Sequence, residues 1–404
     1  MSRPVAIVEP SNLIPYYVRA LCRGLIDAGQ PLTFYTSRYQ HSDLPREEFE
    51  EHVYFNRGLS RFLPTSSRLK RILKGLEYPL GHDRLLSTLK RGDADILHLQ
   101  WARLPRFDAH LVSSARRMGL KYVYTLHDVE PLYDGHGSQK HHRELTLSAD
   151  ALIVHSEWAK RELMSQFPEL PGSRISVIEH PPLIQPTQNL CAADCRRRLG
   201  IPSDAFHVLF FGSLKAFKGL DFYTHWINQI SATPGFERVR FTIAGSPSAP
   251  NIEQMIRSRL GDNPRVKLEL KYIPESEEEV YFKASDVVAL PYEKISQSGV
   301  LSTAFAYRKP VLATGVGNFA EQTADGQRGI SADADAELWT RELQRMISNA
   351  ALIEQMKDNI DRYVSEELNW EMAAQKTVRV YETVRRNSSA VPREKAATEQ
   401  PVLC

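Results

Sequence analysis

Two short segments carry residue types suited to holding an anion. In "FFGSLKAFKGLD", Phe210 to Asp221, Gly212 ends an apolar run, Ser213, Lys215 and Lys218 follow, and Gly219 precedes a helical stretch. A glycine at a strand end lets backbone approach a ligand closely, and two ammonium groups can clamp neighbouring phosphates as point charges. In "LPYEKISQSGVLSTAFAYRKPVLATGVGNFAE", Leu290 to Glu321, an apolar strand end leads through Ser296-Gln297-Ser298-Gly299 directly into a helix. Unbonded N–H groups at a helix start, reinforced by the helix dipole, favour negative charge. An ordinary strand-to-helix turn with Ser298 as N-cap explains the second segment equally well, and a lone loop lysine is more often simply solvated. If the strands ending at Phe211 and Leu290 share a sheet, Lys215, Lys218 and the amides of Ser298–Val300 converge on one diphosphate.

The elements that must position these loops are legible as short apolar runs separated by helical spacing. "VAIV" (Val5–Val8), "LTFYT" (Leu32–Thr36), "ILHL" (Ile96–Leu99), "YVYTL" (Tyr122–Leu126) and "ALIVH" (Ala151–His155) form a first set. "HVLFFG" (His207–Gly212), "RVRFTIAG" (Arg238–Gly245), "RVKLELK" (Arg265–Lys271), "DVVALP" (Asp286–Pro291) and "PVLAT" (Pro310–Thr314) form a second. Runs this apolar suit parallel strands covered on both faces, so the fold class is α/β with two Rossmann-like, doubly wound domains facing a cleft. The boundaries expected are 1–182 for the first domain, 183–365 for the second, 366–386 for a closing helix packed back on the first, and 387–404 for a polar, disordered tail. The basic stretch "TQNLCAADCRRRLGIPSDA" reads as the connection between domains.

Composition narrows the class. With 404 residues, 42% hydrophobic and 25% charged, the chain suits two globular domains. Lys+Arg 51 against Asp+Glu 49 gives no overall attraction to nucleic acid. Four cysteines, Cys22, Cys191, Cys195 and Cys404, are too few and scattered for a disulfide framework. "MSRPVAIVEP" lacks the long apolar core of a signal peptide, and no run nears the ~20 residues of a membrane span. The expected location is therefore cytoplasmic, with peripheral attachment to the plasma membrane's inner face as an option.

The two loops, followed in order by "TIAGS" (Thr242–Ser246) within its strand, "YIPESEEEVYFKASDVVALPY" (Tyr272–Tyr292) and "LNWEMAAQKTVRVYETV" (Leu368–Val384), resemble glycosyltransferase family 4. That family comprises retaining enzymes of the GT-B fold that use nucleotide-sugar donors, and the resemblance is close in the second half and looser in the first. It implies that Ser298, Gly299 and Val300 present amides to a donor diphosphate while Lys215 and Lys218 neutralise the leaving group. Gly212, Ser213 and Ser296 then belong to the donor site, with Tyr272 and Ile273 beside the base; core packing is the competing reading of the last two. The family's two glutamates, separated by seven residues, are not intact. Thr303 stands at the second position, and Glu293 reaches the first only with a two-residue insertion. The nucleotide-sugar is a co-substrate, so no cofactor and no metal is expected, "DAD" at Asp93–Asp95 and Asp333–Asp335 notwithstanding.

In the first half, "YVYTLHDVEP" puts His127 and Asp128 at a strand end from which GT-B enzymes reach the transferring sugar. "ILHLQWARLP" supplies His98, Gln100, Trp101 and Arg103, with the Trp101 face able to stack on a sugar or simply to pack in the core. "EPSNLIPYY" lacks the two glycines common in relatives, which leaves Asn12, Pro15 and Tyr16 as its contacts to an acceptor. The segment 57–91, with Arg57, Arg61, Arg68, Lys70, Arg71, Lys74, Arg84, Lys90 and Arg91 among apolar residues, suits an anionic membrane surface or, equally, a solvated helix face. A membrane reading implies a lipid-linked acceptor, and the family resemblance together with this segment implies a lipid-linked or polysaccharide intermediate of bacterial envelope or exopolysaccharide synthesis. Two other readings compete. "TGVGNFA" (Thr314–Ala320) matches a dinucleotide fingerprint and would suit a nicotinamide-dependent oxidoreductase, although it follows a late strand. The incomplete glutamate pair would suit a transferase-like subunit that binds a nucleotide-sugar without turnover.

Overall fold

A computed structural model describes residues 2–12, 15–38, 47–55, 68–129, 136–183, 186 and 190–389. The first sheet contains β1 (Val5–Glu9), β2 (Leu32–Ser37), β3 (Glu50–Phe55), β4 (Ile96–Leu99), β5 (Lys121–Thr125), β6 (Ala151–Val154) and β7 (Ile175–Val177). Its order is β3-β2-β1-β4-β5-β6-β7, with every pair parallel. The second contains β8 (Phe206–Phe211), β9 (Val239–Ala244), β10 (Val266–Glu269), β11 (Val287–Leu290), β12 (Val311–Thr314) and β13 (Gly329–Ala332), in parallel order β10-β9-β8-β11-β12-β13.

Around the first sheet run α1 (Pro15–Asp27), α2 (Arg68–Leu89), α3 (Pro105–Arg117), α4 (His136–Ser148) and α5 (Glu157–Gln166). The second domain carries α6 (Ala192–Leu199), α7 (Leu220–Ser231), α8 (Pro250–Leu260), α9 (Glu275–Ala284), α10 (Gly299–Ala306), α11 (Phe319–Thr323), α12 (Ala336–Ser348) and α13 (Ala350–Glu366). The chain then returns to the first domain in α14 (Trp370–Ser389). Ala373, Ala374, Val380, Tyr381 and Val384 of that helix join the core built on Val5, Ile7, Val18 and Leu21. Arg385 ties it down through Asp95 at 2.8 Å and Gln30 at 3.0 Å.

Strands covered on both faces are buried throughout and mostly apolar: β1, β4, β6, β11 and β12 have no exposed position. The stretch read as a bare connection is partly helical. Cys195 and Leu199 of α6 enter the second domain's core, and Arg196 reaches Asp286 at 2.6 Å. The expected tail start at 387 falls inside α14; residues 390–404 lie outside the described residues, as do Arg57 and Arg61 of the basic segment.

Each sheet reverses its direction of growth once, at β1/β4 in the first and β8/β11 in the second. Two loops leaving adjacent parallel strands in opposite directions open a crevice between them, which is where α/β sheets bind ligands. The second crevice lies between the Gly212–Gly219 and Ser296–Gly299 loops. The first lies between the loop after Glu9 and the loop containing Gln100 and Trp101.

Candidate functional site

The second-domain crevice brings together the two segments on which the sequence argument rests. Gly212 has φ of 100°, a left-handed conformation that favours glycine; a Cβ there would stand 3.1 Å from Val300 Cγ2 and 3.3 Å from Lys218 Nζ. Gly212, Val300 and Lys218 therefore share one small volume. Gly219, φ 69°, passes so close to Pro291 that a Cβ would fall 1.7 Å from its carbonyl oxygen, which locks the lysine loop against the end of β11. The Glu293 amide adds a hydrogen bond to the Phe217 carbonyl at 2.8 Å.

Lys218 lies 5.0 Å from the Tyr292 ring centre, and burial pushes its ammonium down to about 8 with no carboxylate among the described residues to offset it. A desolvated cation without a counter-charge is costly unless an anion completes it. Lys215 is exposed, over the Phe217 ring at 5.6 Å, and its charge acts on Asp128 of the other domain. Ser298 spends its hydroxyl as the N-cap of α10, accepting from the Leu301 amide at 3.3 Å. The Gly299 and Val300 amides occupy the open first turn, where a helix offers no internal acceptor.

The remaining donor candidates divide by exposure. Tyr272 is 71% exposed, whereas Ile273, at 5%, belongs to the core with Tyr281 and Phe282. Thr303 turns its hydroxyl back to the Gly299 carbonyl at 2.9 Å. Ser213 and Glu293 are exposed and Ser296 is half-buried.

The first-domain crevice has a different character. His127, at the end of β5, is buried, with Trp101 stacked on its ring at 3.5 Å and 7° between planes. Tyr17 meets His127 edge-on at 4.9 Å and tilts over His180 at 4.6 Å. His155, at the end of β6, brings Nε2 within 3.0 Å of His127 Nδ1. Burial drives the His127 imidazole well below its ordinary value, helped by the neighbouring histidines; His155 falls to about 3 and His180 to about 4 for the same first reason. The cluster is therefore neutral at physiological pH. Among the described residues no three histidine, cysteine or carboxylate side chains are grouped to hold a metal ion.

Asp128 is half-buried, and desolvation raises its carboxyl to about 6 against the lowering pull of Lys215. Asn12 is buried at φ 50°, its amide donating to the Ser37 carbonyl at 2.6 Å, so it shapes the first loop from within. Glu9 organises that loop from below, accepting from the Ser11 and Asn12 amides, and burial lifts its carboxyl to about 7. Tyr16 is half-buried at the start of α1. His98 is no cleft residue: it is fully buried between Tyr381 at 2.6 Å and Thr125 at 2.8 Å.

Among the described residues, Gln297, α10 and α11 bring the second domain onto the first. Gln297 approaches His127 Nδ1 at 3.5 Å, Ser302 donates to the His180 carbonyl at 3.1 Å, and Glu321 accepts from the Glu157 and Trp158 amides at 3.0 and 2.9 Å. The last is a carboxylate from one domain capping helix α5 of the other. Sequence reasoning gave no role of their own to His155, His180, Gln297 or Glu321. The one local signal was that "ALIVH" ends its strand in histidine just as "YVYTLH" does.

Comparison with known proteins agrees with this geometry. The sequence model described as Glycosyltransferase Family 4 matches residues 14–181, and that described as Glycosyl transferases group 1 matches residues 205–349. A D-inositol 3-phosphate glycosyltransferase of Corynebacterium urealyticum is 27% identical over 310 residues, covering 70% of this chain and 69% of its own. The chain spans 50% and 47% of two further corynebacterial relatives of that name. Among solved structures, the sucrose-phosphate synthase of Thermosynechococcus elongatus superimposes with a TM-score of 0.73 at 18% identity, covering 96% of this chain and all of the other. Anabaena HepE in complex with UDP and glucose gives 0.72 at 16%, covering 95% and 100%. With both halves matched and both switch-point crevices facing one cleft, the chain belongs to the glycosyltransferases of the GT-B fold, family 4 in its first half and group 1 in its second.

Proposed function

We propose that this enzyme moves a sugar, with retention, from a nucleoside-diphosphate donor held by the second domain to a hydroxyl of an acceptor held by the first. The observation that carries the donor half is Lys218, a desolvated ammonium without a carboxylate, pressed against Gly212 and Val300 beside the open amides of α10. A diphosphate supplies the missing counter-charge, and the leaving group it becomes gains a further negative charge that Lys218, Lys215 and the amides stabilise. Tyr272, open beside the strand β10, is the surface on which a base stacks. The UDP-bound state of HepE makes uridine the first base to test.

The acceptor half rests on the neutral stack of Trp101, His127 and Tyr17, which suits polyol and sugar surfaces better than charged ones. For the acceptor we favour a lipid-linked or polysaccharide intermediate of the bacterial envelope. Leu76 and Leu80, one turn apart on α2, are 67% and 52% exposed on the helix whose segment is rich in Lys and Arg, as a peripheral membrane contact would require. Among the described residues no helix is long and apolar enough to cross a membrane. An alternative acceptor, suggested by the relatives' name, is an inositol phosphate.

The test is a donor screen by nucleoside diphosphate release, UDP-, GDP- and ADP-sugars each offered with inositol phosphate or with undecaprenyl-linked sugar in anionic vesicles. Product anomeric configuration, read by NMR, decides retention. Release from one donor that Lys218→Ala abolishes is the expected result; no turnover with any donor, together with nucleotide binding, would instead favour a non-catalytic subunit.

A further inference from the structure

We infer that His155 is a positioning residue that fixes the tautomer of His127, so that His127 meets its ligand with a bare Nε2 that accepts a hydrogen bond from a hydroxyl. The argument begins away from the cleft. His155 Nδ1 lies 2.8 Å from the Ile178 carbonyl oxygen, which can only accept, so Nδ1 carries the proton. In a neutral imidazole the other nitrogen is then a lone pair, and His155 Nε2 points that lone pair at His127 Nδ1, 3.0 Å away. If His127 Nδ1 were also bare, two lone pairs would face each other at that distance in a buried site. The arrangement is satisfied when His127 Nδ1 donates, which leaves Nε2 unprotonated. The chain Ile178 C=O, His155, His127 thus transmits a backbone position just after β7 to the chemistry presented at the end of β5.

Gln297 does not decide the tautomer: its amide nitrogen lies 3.5 Å from the same Nδ1 and its Oε1 is buried without a partner, and turning the carboxamide over would give Nδ1–H a second acceptor while leaving the nitrogen unpaired in place of the oxygen. On the other side of the ring, Gln100 Oε1 stands 3.4 Å from Nε2, so a bare Nε2 requires that carboxamide turned over, its amide nitrogen toward the ring and its oxygen toward His98; a substrate hydroxyl is the alternative donor. Trp101 on the ring face and Tyr17 at its edge prevent the imidazole from turning to offer its other nitrogen. His155 touches neither the lysine loop nor the start of α10 through any hydrogen bond described, so its effect reaches the ligand through His127.

The inference deepens the transferase reading and rests on it for its kinetic consequence alone, because the tautomer can be read without substrate. Long-range 1H–15N spectra of histidine-labelled protein, with the His127 signals assigned by their loss in His127→Gln, should show Nδ1 protonated and Nε2 bare. His155→Phe should shift His127 toward Nε2–H and lower kcat about tenfold, the worth of one buried hydrogen bond, with donor KM within about twofold. His155→Gln, whose carbonyl can replace the lost acceptor, should restore both. An Nε2-protonated His127 in the wild type overturns the inference outright, and this arm decides alone if His155→Phe does not fold. An unchanged tautomer or unchanged kcat in a folded His155→Phe overturns it too. A wild type that shows the expected tautomer but no turnover would sink the transferase reading and leave the assignment standing.

Discussion

The two crevices facing the cleft are built from opposite materials. The second-domain edge presents backbone and cations: the amides of Gly299 and Val300, the ammonium groups of Lys215 and Lys218, and glycines that keep the surface bare. The first-domain edge presents neutral rings, Tyr17, Trp101, His127, His155 and His180, packed against one another and held uncharged by burial. One edge leaves a desolvated cation without a counter-charge, as the proposed anion-binding role requires, while the other is uncharged and offers shape, stacking and a few directed hydrogen bonds. Charge recognition can be assembled from residues a few positions apart, because a strand end and a helix start suffice. A prebuilt neutral surface needs side chains from several strands at once.

The sharpest way to break this division is to delete its central groups in turn. Lys218→Ala should lower turnover about 100- to 1,000-fold and weaken nucleoside diphosphate binding with it, since in the proposed role its charge serves donor and leaving group alike. His127→Ala should lower turnover about 100-fold while leaving diphosphate affinity, read by calorimetry, within about twofold. Equal losses of affinity in both variants would mean that the two edges do not divide the substrates.

Within the donor edge, the adjacent pair Tyr272 and Ile273 separates binding from packing. Ile273→Ala opens a hole in the second core and should cost about 2–4 kcal/mol of stability in denaturant unfolding. Tyr272→Ala, at an exposed position, should leave stability within about 0.5 kcal/mol yet weaken nucleotide binding severalfold through the lost base stack. If the exposed tyrosine can be removed without effect on the nucleotide, the base lies elsewhere.

That pair also shows how far the sequence reaches. Tyr272 and Ile273 read identically in the chain, and only burial tells them apart. The same holds for strands. The three that the apolar-run pattern does not reveal, β3 "EEHVYF", β7 "ISV" and β13 "GISA", are all sheet edges, where one side meets no neighbouring strand and the demand for continuous apolar character lapses. The lysine and Ser-Gln-Ser-Gly loops were legible because each is a contiguous motif. The histidine cluster was not: it joins the ends of β5 and β6 with the residues after β7, and a strand-end histidine carries no mark of what lies across the sheet. Glu321 was quoted within its motif, but the amides it caps lie 164 and 163 residues away in the other domain.

Glu321 is where the two edges are joined, and its removal tests whether their opposition depends on closure. Glu321→Ala strips two amides of α5 of their acceptor and should cost about 1–2 kcal/mol, with Glu321→Gln intermediate because its amide oxygen can still cap one of them. Small-angle scattering should then show a more open molecule, and kcat should fall more than diphosphate affinity, since the donor edge is complete without the first domain. Affinity falling in step with kcat would show that the donor edge itself needs the closed arrangement.

The smallest expected effect is the most specific to the contrast between charged and neutral edges. Burial lowers the Lys218 ammonium from 10.5 to about 8, so the folded protein releases that proton more readily than the unfolded chain does. Between about pH 8 and 10.5 the unfolded state binds more protons, and the ligand-free protein should gain stability from this group as pH rises through that window. Diphosphate binding should move the other way. With a pKa near 8 the cation fraction falls from about nine-tenths at pH 7 to about one-tenth at pH 9, so affinity should drop severalfold, up to about tenfold, across the same interval. Lys218→Met should remove both trends together, and His127→Ala should remove neither, because the first edge carries no charge to titrate there. Calorimetry at pH 7, 8 and 9 on the three proteins would read the affinities, and denaturant unfolding at pH 8 and 9.5 the stabilities. Opposite slopes in the wild type, both abolished by the lysine substitution alone, would tie the anion-binding character of the cleft to one desolvated ammonium rather than to the helix amides beside it.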